Sequence, residues 1–582
     1  MLDAGGQYCH LIARKVRDLG VYAEVRPSDT PAAQLKGSRG LIISGGPSSV
    51  YEPGSPTVDP ALFSSGLPVL GICYGLQLMA HLLGGTVEKG ERGEFGLSVL
   101  EISALSPLFA GLAPGPRQVW MSHRDLVRAT PPGFRVEART DTCPVAAMGD
   151  EARQLYGVQF HPEVVHTHQG RQMLENFLFR ICDCRPDWDP KRRIPLVEAR
   201  IREVVGPRSV FFFVSGGVDS TVAYTLCLRA LGAGRVRGVY VDTGLMREGE
   251  TEFVRRMFDA LTAGAVRMEN AAGRFLSALA GVWDPEEKRR IIGEEFVEVQ
   301  EEILESEHFL EGDWILGQGT IYPDTIESGG TTHAAVIKTH HNRVPGIQRL
   351  IESGRVVEPL SSFYKDEVRE IGRELGLPEE LLERHPFPGP GLAVRCLCAP
   401  AEAALRRIEE GYLAPLRSVG VQGDSRSYAP VLALEEILSP EAGLHQKATE
   451  LINRLRGINR VVAQVAARAP LPQLAVRPAT LSPERLARLR RADAIVRRLS
   501  HQHGFDRRVW QFPVILIPLG TRELPDSVVL RPVDSVDGMT ADSVLMEPAL
   551  LAAMAEELLR VEGLCAVFYD LTHKPPATIE WE

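Results

Sequence analysis

The 582-residue chain has no apolar run of the roughly 18–20 residues that a membrane-spanning helix needs. It opens with no basic stretch followed by a short apolar one, so nothing reads as a secretory leader. Long runs of one charge sign are missing as well. The net charge is -10, and no basic stripe offers a footing for a nucleic-acid backbone. Nine cysteines are scattered along the chain, with only two close pairs, Cys182/Cys184 and Cys396/Cys398. A C-x-C pair without a second pair or nearby His ligands argues against zinc. Reduced thiols in a cytoplasmic protein are the reading left. These absences exclude membrane and nucleic-acid partners and leave small molecules.

What is present is ordinary globular material, 44% hydrophobic and 24% charged. The length suggests about three or four domains. Residues 1–183 alternate buried-strand runs ("RGLIISGG", "LPVLGIC") with amphipathic helices closed by Gly ("HLIARKVRDLG", "YGLQLMAHLLGG"). The opening "MLDAGGQY" leaves only two residues before its turn, so the first strand is very short or begins upstream. A Pro-rich linker (185–195) precedes a second alternating region, 190–395. Both read as α/β with mostly parallel sheets and helices on the two faces. Region 396–582 changes to α+β and repeats a pattern, 396–470 and 480–582, each predicted to begin with a helix ("EAALRRIEEGYL", "ERLARLRRADAIVRRL"). The two copies would pack sheet to sheet or edge to edge.

Three strings in the first region carry chemistry. "GICYG" sets Cys73 between a strand and a helix, with glycines that permit a strained turn and a helix N-terminus that favours thiolate. "GVQFHPE" places His161 and Glu163 two apart in extended chain, hence on one side. A carboxylate there orients an imidazole, and the imidazole activates a thiol. "ISGGPSS" exposes backbone N–H groups at Gly45 and Gly46 which, with that of Tyr74, would hold an oxyanion. Alone, each string has a bland reading as a buried thiol, a surface His or a turn. Their co-occurrence in one domain favours the chemical one.

Together the strings resemble the class I glutamine amidotransferase domain, whose fold is flavodoxin-like. The resemblance implies Cys73 as nucleophile, His161 as base and Glu163 as orienter. It adds Gln77, His123 and Asp125 as glutamine-binding residues. Arg124 stands where the family has Gly and would disturb glutamine affinity.

In the second region "SGGVDS" follows the strand "VFFFV" and opens a helix, so its amides turn toward an anion. It lacks the lysine of the common phosphate loop. The string resembles the pyrophosphate loop of ATP pyrophosphatases. That implies ATP binding at Ser215, Gly216, Gly217, Val218, Asp219 and Ser220, with Asp242 and Gly244 of "VDTGLMR" nearby. Asp219 would help hold Mg²⁺, a cation that takes few carboxylates beside phosphate oxygens. "LGQGTIYPDTIES" (316–328) and "IKTHHN" (337–342), with Lys338, read as loops able to meet phosphates. "PLSSFYKDEVREIGRELGLP" (359–378) reads as an amphipathic helix starting near Lys365.

In this order, and with the ending "KPPATIEWE", the strings resemble the GMP synthetase family over nearly the whole chain. That implies ATP-dependent amination of xanthosine monophosphate (XMP) through an adenylated base, with ammonia from glutamine travelling by a sheltered route. Lys574 and Glu580 would reach XMP, Pro388, Gly389 and Pro390 would line the same pocket, and Arg531 is a candidate for its phosphate. The length resembles the long form of the family, in which a second copy of the small C-terminal unit would replace a homodimer partner and favour a monomer. An ATP pyrophosphatase with another acceptor, or a non-catalytic relative, are the competing readings.

Overall fold

A computed structural model describes all residues except 7, 104–105, 113–114, 165, 263–265, 328–343, 423–424, 438–442, 456, 536–540 and 575. The chain is α/β and divides into two units. One is Met1–Ile194 with the described part of Ile321–Lys338 and with Ser362–Glu367. The other is Pro195–Thr320, the described part of Thr339–Ser361, and Val368–Glu582. Two stretches expected within 190–395 are therefore built into the first unit, and 190–395 and 396–582 share one unit. No helix of the described residues is long and apolar enough to cross a membrane.

The first unit holds strands β1 (Leu2–Asp3), β2 (Arg26–Pro27), β3 (Leu41–Ile43), β4 (Val69–Ile72), β5 (Thr86–Ile102), β6 (Gly115–Ala129), β7 (Arg135–Arg139), β8 (Ala147–Asp150) and β9 (Leu155–Val158). They form one sheet in the order β2-β1-β3-β4-β9-β8-β7-β5-β6. The strands from β2 to β9 in that order are parallel, and the rest are antiparallel. Side-chain alternation feeds two cores, as a sheet covered on both faces requires. Ile42, Leu70 and Ile72 enter one core, while Leu41, Ile43 and Val69 enter the other. Helix α1 (Cys9–Asp18) buries Cys9, Ile12, Ala13 and Val16, one face at helical spacing. Helix α2 (Tyr74–Leu82) follows β4 directly and is buried over most of its length.

Arg17 of α1 is nearly fully buried yet charged. It donates to Glu367 at 2.9 Å, to the Ser362 carbonyl at 2.8 Å and to the Ala23 carbonyl at 2.7 Å. The rings of Tyr22, Trp188, Tyr322 and Tyr364 surround the guanidinium, each centroid 4.8–5.1 Å away. A delocalised cation suits such an aromatic cage. Residues from four separate stretches of chain thus close around one charge.

The second unit begins with a parallel sheet. Its strands are β10 (Ser209–Phe213), β11 (Val236–Asp242), β12 (Val266–Asn270), β13 (Trp314–Gly317) and β14 (Val356–Val357), in the order β12-β11-β10-β13-β14. Helix α3 (Val218–Leu231) follows β10 and ends at Gly232, whose φ of 84° suits glycine.

The C-terminal part contains β15 (Arg406–Ile408), β16 (Gly411–Gln422), β17 (Ser425–Ile437), α4 (Leu444–Arg454), β18 (Arg460–Ala467), α5 (Pro483–Gln502), β19 (Val514–Ile517), β20 (Asp526–Leu530), α6 (Pro548–Leu559) and β21 (Leu564–Asp570). One sheet runs β15-β16-β17-β18-β21-β20-β19. On each side of the central pair the same β-β-α-β order occurs: an antiparallel pair, then a parallel neighbour. The halves meet edge to edge through antiparallel β18 and β21. The helix expected at "EAALRRIEEGYL" is not there. Arg406, Arg407 and Ile408 pair with Leu413, Tyr412 and Gly411 as a hairpin. A Cβ at Gly411 would sit 2.4 Å from the Ala433 carbonyl oxygen, so close strand packing overrides helix propensity.

Candidate active site

Strand β4 delivers the chain into a reversal that holds Cys73 at φ 53°, ψ -106°, a strained conformation for a residue with a Cβ. The flanking glycines are required by space. A Cβ at Gly71 would lie 2.5 Å from the Gly75 carbonyl carbon, and one at Gly75 would lie 2.4 Å from the Ile43 oxygen. The Cys73 amide is tied to the Val158 carbonyl at 2.7 Å. Its sulfur meets the Gln159 side-chain amide at 3.6 Å and the Ser122 carbonyl at 3.7 Å.

Beyond β9 the chain leaves the strand through bends and a turn, and there Gln159 reaches the Cys73 sulfur while His161 and Glu163 bond each other. His161 Nδ1 bonds Glu163 Oε1 at 2.7 Å, and the ring lines the same cavity as Cys73. Burial alone would lower the imidazole. The charge of Glu163, the neighbouring Cys73 and the bond to Glu163 outweigh it and push it up to about 10. The proton is therefore held at neutral pH, and it is given up only as pH rises through that value. Gln159 was not singled out in the sequence, although it stands two residues before His161, at the spacing that separates His161 from Glu163.

A cavity of about 700 Å³ opens here, lined by Gly45, Cys73, Gln77, Arg124, Asp125 and His161 among others. A Cβ at Gly45 would be 3.3 Å from His161 Cε1 and 3.5 Å from Cys73 Cβ. One at Gly46 would be 2.4 Å from the Ala4 oxygen and 3.4 Å from the Tyr74 ring. The loop therefore brings main chain close to Cys73 and His161, and at Gly46 leaves no room for a side chain. Gln77 is buried and donates to the Asp125 carbonyl at 2.7 Å and to Gln159 at 3.2 Å, so it braces the wall. His123 spans the Asp125 carbonyl at 3.0 Å and Glu94 at 3.2 Å. Burial would raise the Glu94 carboxyl, but bonds from His123, Thr140 and Thr142 hold it below the usual range. Glu94 comes from a different strand and has no local signal in the sequence.

In the second unit, β10 ends in the loop Ser215–Ser220. Gly216 has φ 73°, and a Cβ there would meet Val254 at 2.5 Å. Ser215 and Ser220 hydroxyls lie 3.0 Å apart, and the Gly217 amide donates to Ser215 Oγ at 3.2 Å. Val218 is buried and opens α3, with Asp219 in its first turn. Gly319 closes on this loop, since its Cβ would lie 2.8 Å from the Ser220 nitrogen. At the end of β11, Asp242 accepts from the Gly244 amide at 2.9 Å and from Thr251 at 2.9 Å. Gly244 has φ 71° and a Cβ would meet Ala272 at 2.7 Å.

Pro388, Gly389 and Pro390 sit beside that second loop, because Leu392 donates to the Leu245 carbonyl at 2.7 Å and Gly391 to the Pro388 carbonyl at 2.9 Å. Phe387 is covered by Arg247 and Arg395, and Arg395 grips Glu580 through two bonds of 2.9 and 2.7 Å. Lys574 is half-buried, its amide bonded to the Ala541 carbonyl at 2.7 Å. Arg531 departs from the expected phosphate role. It is fully buried, and its nitrogens donate to the carbonyls of Ile579, Thr572 and Thr578 at 2.8–3.0 Å and to Asp570 at 2.8 Å. Its donors hold the tail from inside. "IKTHHN" and Lys338 fall outside the described residues.

The chain resembles known proteins over its whole length. The family model "Glutamine amidotransferase class-I" matches residues 1–181, and "GMP synthase C terminal domain" matches 499–581. The chain is 41% identical over 601 residues to a probable glutamine-hydrolysing GMP synthase of Leptospira interrogans, covering 100% of this chain and 99% of that one. It is 42% identical to the glutamine-hydrolysing GMP synthase of Thermomicrobium roseum, covering 100% and 96%. The crystal structure of a putative GMP synthase subunit from Thermoplasma acidophilum is 33% identical, covering 31% of this chain and 93% of that one, with a TM-score of 0.28.

Proposed function

This chain belongs to the glutamine-hydrolysing GMP synthases, and from that premise we propose how its own residues make GMP. The observation that carries the reading is the row Glu163–His161–Cys73 at a strained strand-to-helix turn. Cys73 sulfur, its proton having passed to His161, attacks the carboxamide carbon of glutamine. The oxyanion that forms turns to the amides of Gly45, Gly46 and Tyr74. His161 passes its proton to the leaving nitrogen, ammonia departs and a thioester remains. The imidazole, now neutral and still oriented by Glu163, takes a proton from water, which attacks the thioester and releases glutamate. Asp125 and His123 form the wall that holds the glutamine, and Arg124 adds a cation to it.

At the second centre the amides and hydroxyls of Ser215–Ser220 bind the phosphates of ATP, with Asp242 and Gly244 beside them. The C2 oxygen of XMP attacks the α-phosphorus, pyrophosphate leaves, and ammonia then displaces AMP to give GMP. Pro388–Pro390, Lys574 and Glu580 hold the XMP. Among the described residues no cluster of three or more metal-ligating side chains exists. One carboxylate in a phosphate loop nevertheless fits Mg²⁺, which arrives largely liganded by phosphate and water. Asp219 would hold it, and when bound it neutralises phosphate charge.

The test is a steady-state assay with XMP, ATP, Mg²⁺ and glutamine, in which AMP, pyrophosphate, glutamate and GMP should accumulate in equal amounts. ATP cleavage driven by another acceptor and not by XMP would sink the reading. Gly216→Ala adds a methyl group against Val254 and a left-handed penalty of roughly 1–2 kcal/mol. It should raise KM for ATP at least about tenfold, with glutamine or ammonia alike, and leave the glutaminase centre intact.

The seam between β18 and β21 lets a single chain supply both copies of a unit that pairs between subunits in the short form of the family. It supports a monomer. Sedimentation should give one mass near 64 kDa, the chain's own 63.9 kDa, and a tight dimer at low micromolar concentration would count against it.

A further inference from the structure

Eight cysteines play no part in the reaction above. Seven of them are buried, and burial pushes thiols such as Cys9, Cys143 and Cys396 up to about 12. Cys184 alone is half-buried, and it lies two residues from Cys182, which ends the helix Asn176–Ile181 of the first unit.

The local backbone presents these two sulfurs to each other. The helix widens in its last turn, so the Cys182 amide reaches back to the Phe177 carbonyl at 2.9 Å and that of Cys184 to Leu178 at 2.9 Å. Asp183 between them is left-handed at φ 50°, one of only a few non-glycine residues so placed among those described. Residues two apart have Cα atoms at most about 7 Å apart. A left-handed residue between them shortens that distance into the roughly 4.4–6.8 Å window of disulfides. The two thiols are close enough to perturb each other's ionisation. The Cys182 sulfur is pinned against Gly40, where a Cβ would lie 2.4 Å from it.

We propose that Cys182 and Cys184 are an oxidisable dithiol, closed to an intramolecular disulfide by a hydroperoxide. Cys184 sulfur, the accessible one, attacks the peroxide oxygen. The O–O bond breaks, hydroxide leaves, and Cys184 becomes a sulfenic acid. Cys182 then attacks that sulfur, its proton leaves with the departing hydroxide as water, and the S–S bond forms. The two thiols lose two electrons and two protons, and one hydrogen peroxide becomes two waters. Supporting this order, the neighbouring Cys182 draws the Cys184 thiol down to about 7, with the nearby Arg39 adding to it against burial. At neutral pH that makes a thiolate fraction about tenfold above that of a free cysteine.

The experiment uses the full chain carrying Cys73→Ala, so that the catalytic sulfur does not compete for oxidant. After hydrogen peroxide treatment at pH 7, alkylation and trypsin, the peptide 181–191 contains both cysteines. It should lose two hydrogens and become unreactive to alkylation, and dithiothreitol should reverse both changes. With Cys182→Ala added, dimedone should trap a sulfenic acid at Cys184, and alkylation of Cys184 should slow about tenfold. If both thiols stay alkylatable at peroxide levels that oxidise glutathione, or if Cys184 passes directly to sulfinic acid in the chain with Cys182 present, the proposal fails.

Discussion

Replacing Cys73 with Ala is expected to lower glutamine-dependent GMP formation by at least about 10³-fold, while ammonia-dependent formation stays within about twofold. Without the sulfur no thioester forms, and no neighbouring group can replace it. Gln159 and the Ser122 carbonyl, which flank the sulfur, carry no nucleophile. The turn itself should survive, because Ala meets the same left-handed φ that Cys already tolerates and the Cys73 amide keeps its bond to Val158. The phosphate loop belongs to the other unit and its hydrogen bonds are internal to it. The measurement is GMP production with glutamine and, separately, with ammonium chloride near pH 8.5. Loss of both would mean that Cys73 does more than split the amide.

Asp570→Asn should be the most damaging single change in the second unit. Asp570 is fully buried and accepts from Arg460 at 2.9 Å, Arg531 at 2.8 Å and Trp581 at 2.9 Å. Two buried cations depend on this one anion. Removing its charge leaves them uncompensated, at a cost of about 3–5 kcal/mol. Urea unfolding of the second unit should shift accordingly. KM for XMP should rise, because the strand-end and tail that carry Lys574 and Glu580 hang on the same cations.

A pH profile separates charge from mere packing. Burial would raise the Asp570 carboxyl, but Arg531 and Arg460 hold it below its ordinary 3.8. The stabilisation it gives is complete above that value and is lost as pH falls through the depressed one. Wild type should therefore lose stability below about pH 4 by a component that Asp570→Asn lacks. Equal acid sensitivity in the two chains would remove Asp570 from this role.

The catalytic row was legible because its parts are local. A strand, a tight turn and a helix start must be contiguous around Cys73, and His161 and Glu163, two residues apart, bond each other within a local turn. The same two-residue spacing holds Gln159, which the sequence offered and only the fold made meaningful. Glu94 reaches His123 through strand register between β5 and β6, and no spacing in the chain announces that. The tail shows the same limit. A terminal Trp-Glu reads locally as a frayed end, yet Trp581 is fully buried over Arg460 and Glu582 pairs with buried Lys288. Arg531 was a phosphate candidate by family resemblance, and its place just after β20 carries no mark of its eventual partners. The segment 402–413 misled in the other direction, since its helical composition yields to a hairpin fixed by distant strands.

The caged arginine of α1 bears on how this protein can be dissected. Tyr322, Tyr364 and Glu367 are separated from Arg17 by some 300 residues of chain, yet they complete its surroundings. A fragment ending at residue 194 would expose the aromatic floor and strand a guanidinium without its counter-ion. The amidotransferase unit is therefore not defined by its N-terminal stretch alone. Its integrity is written partly in codons that come long after it.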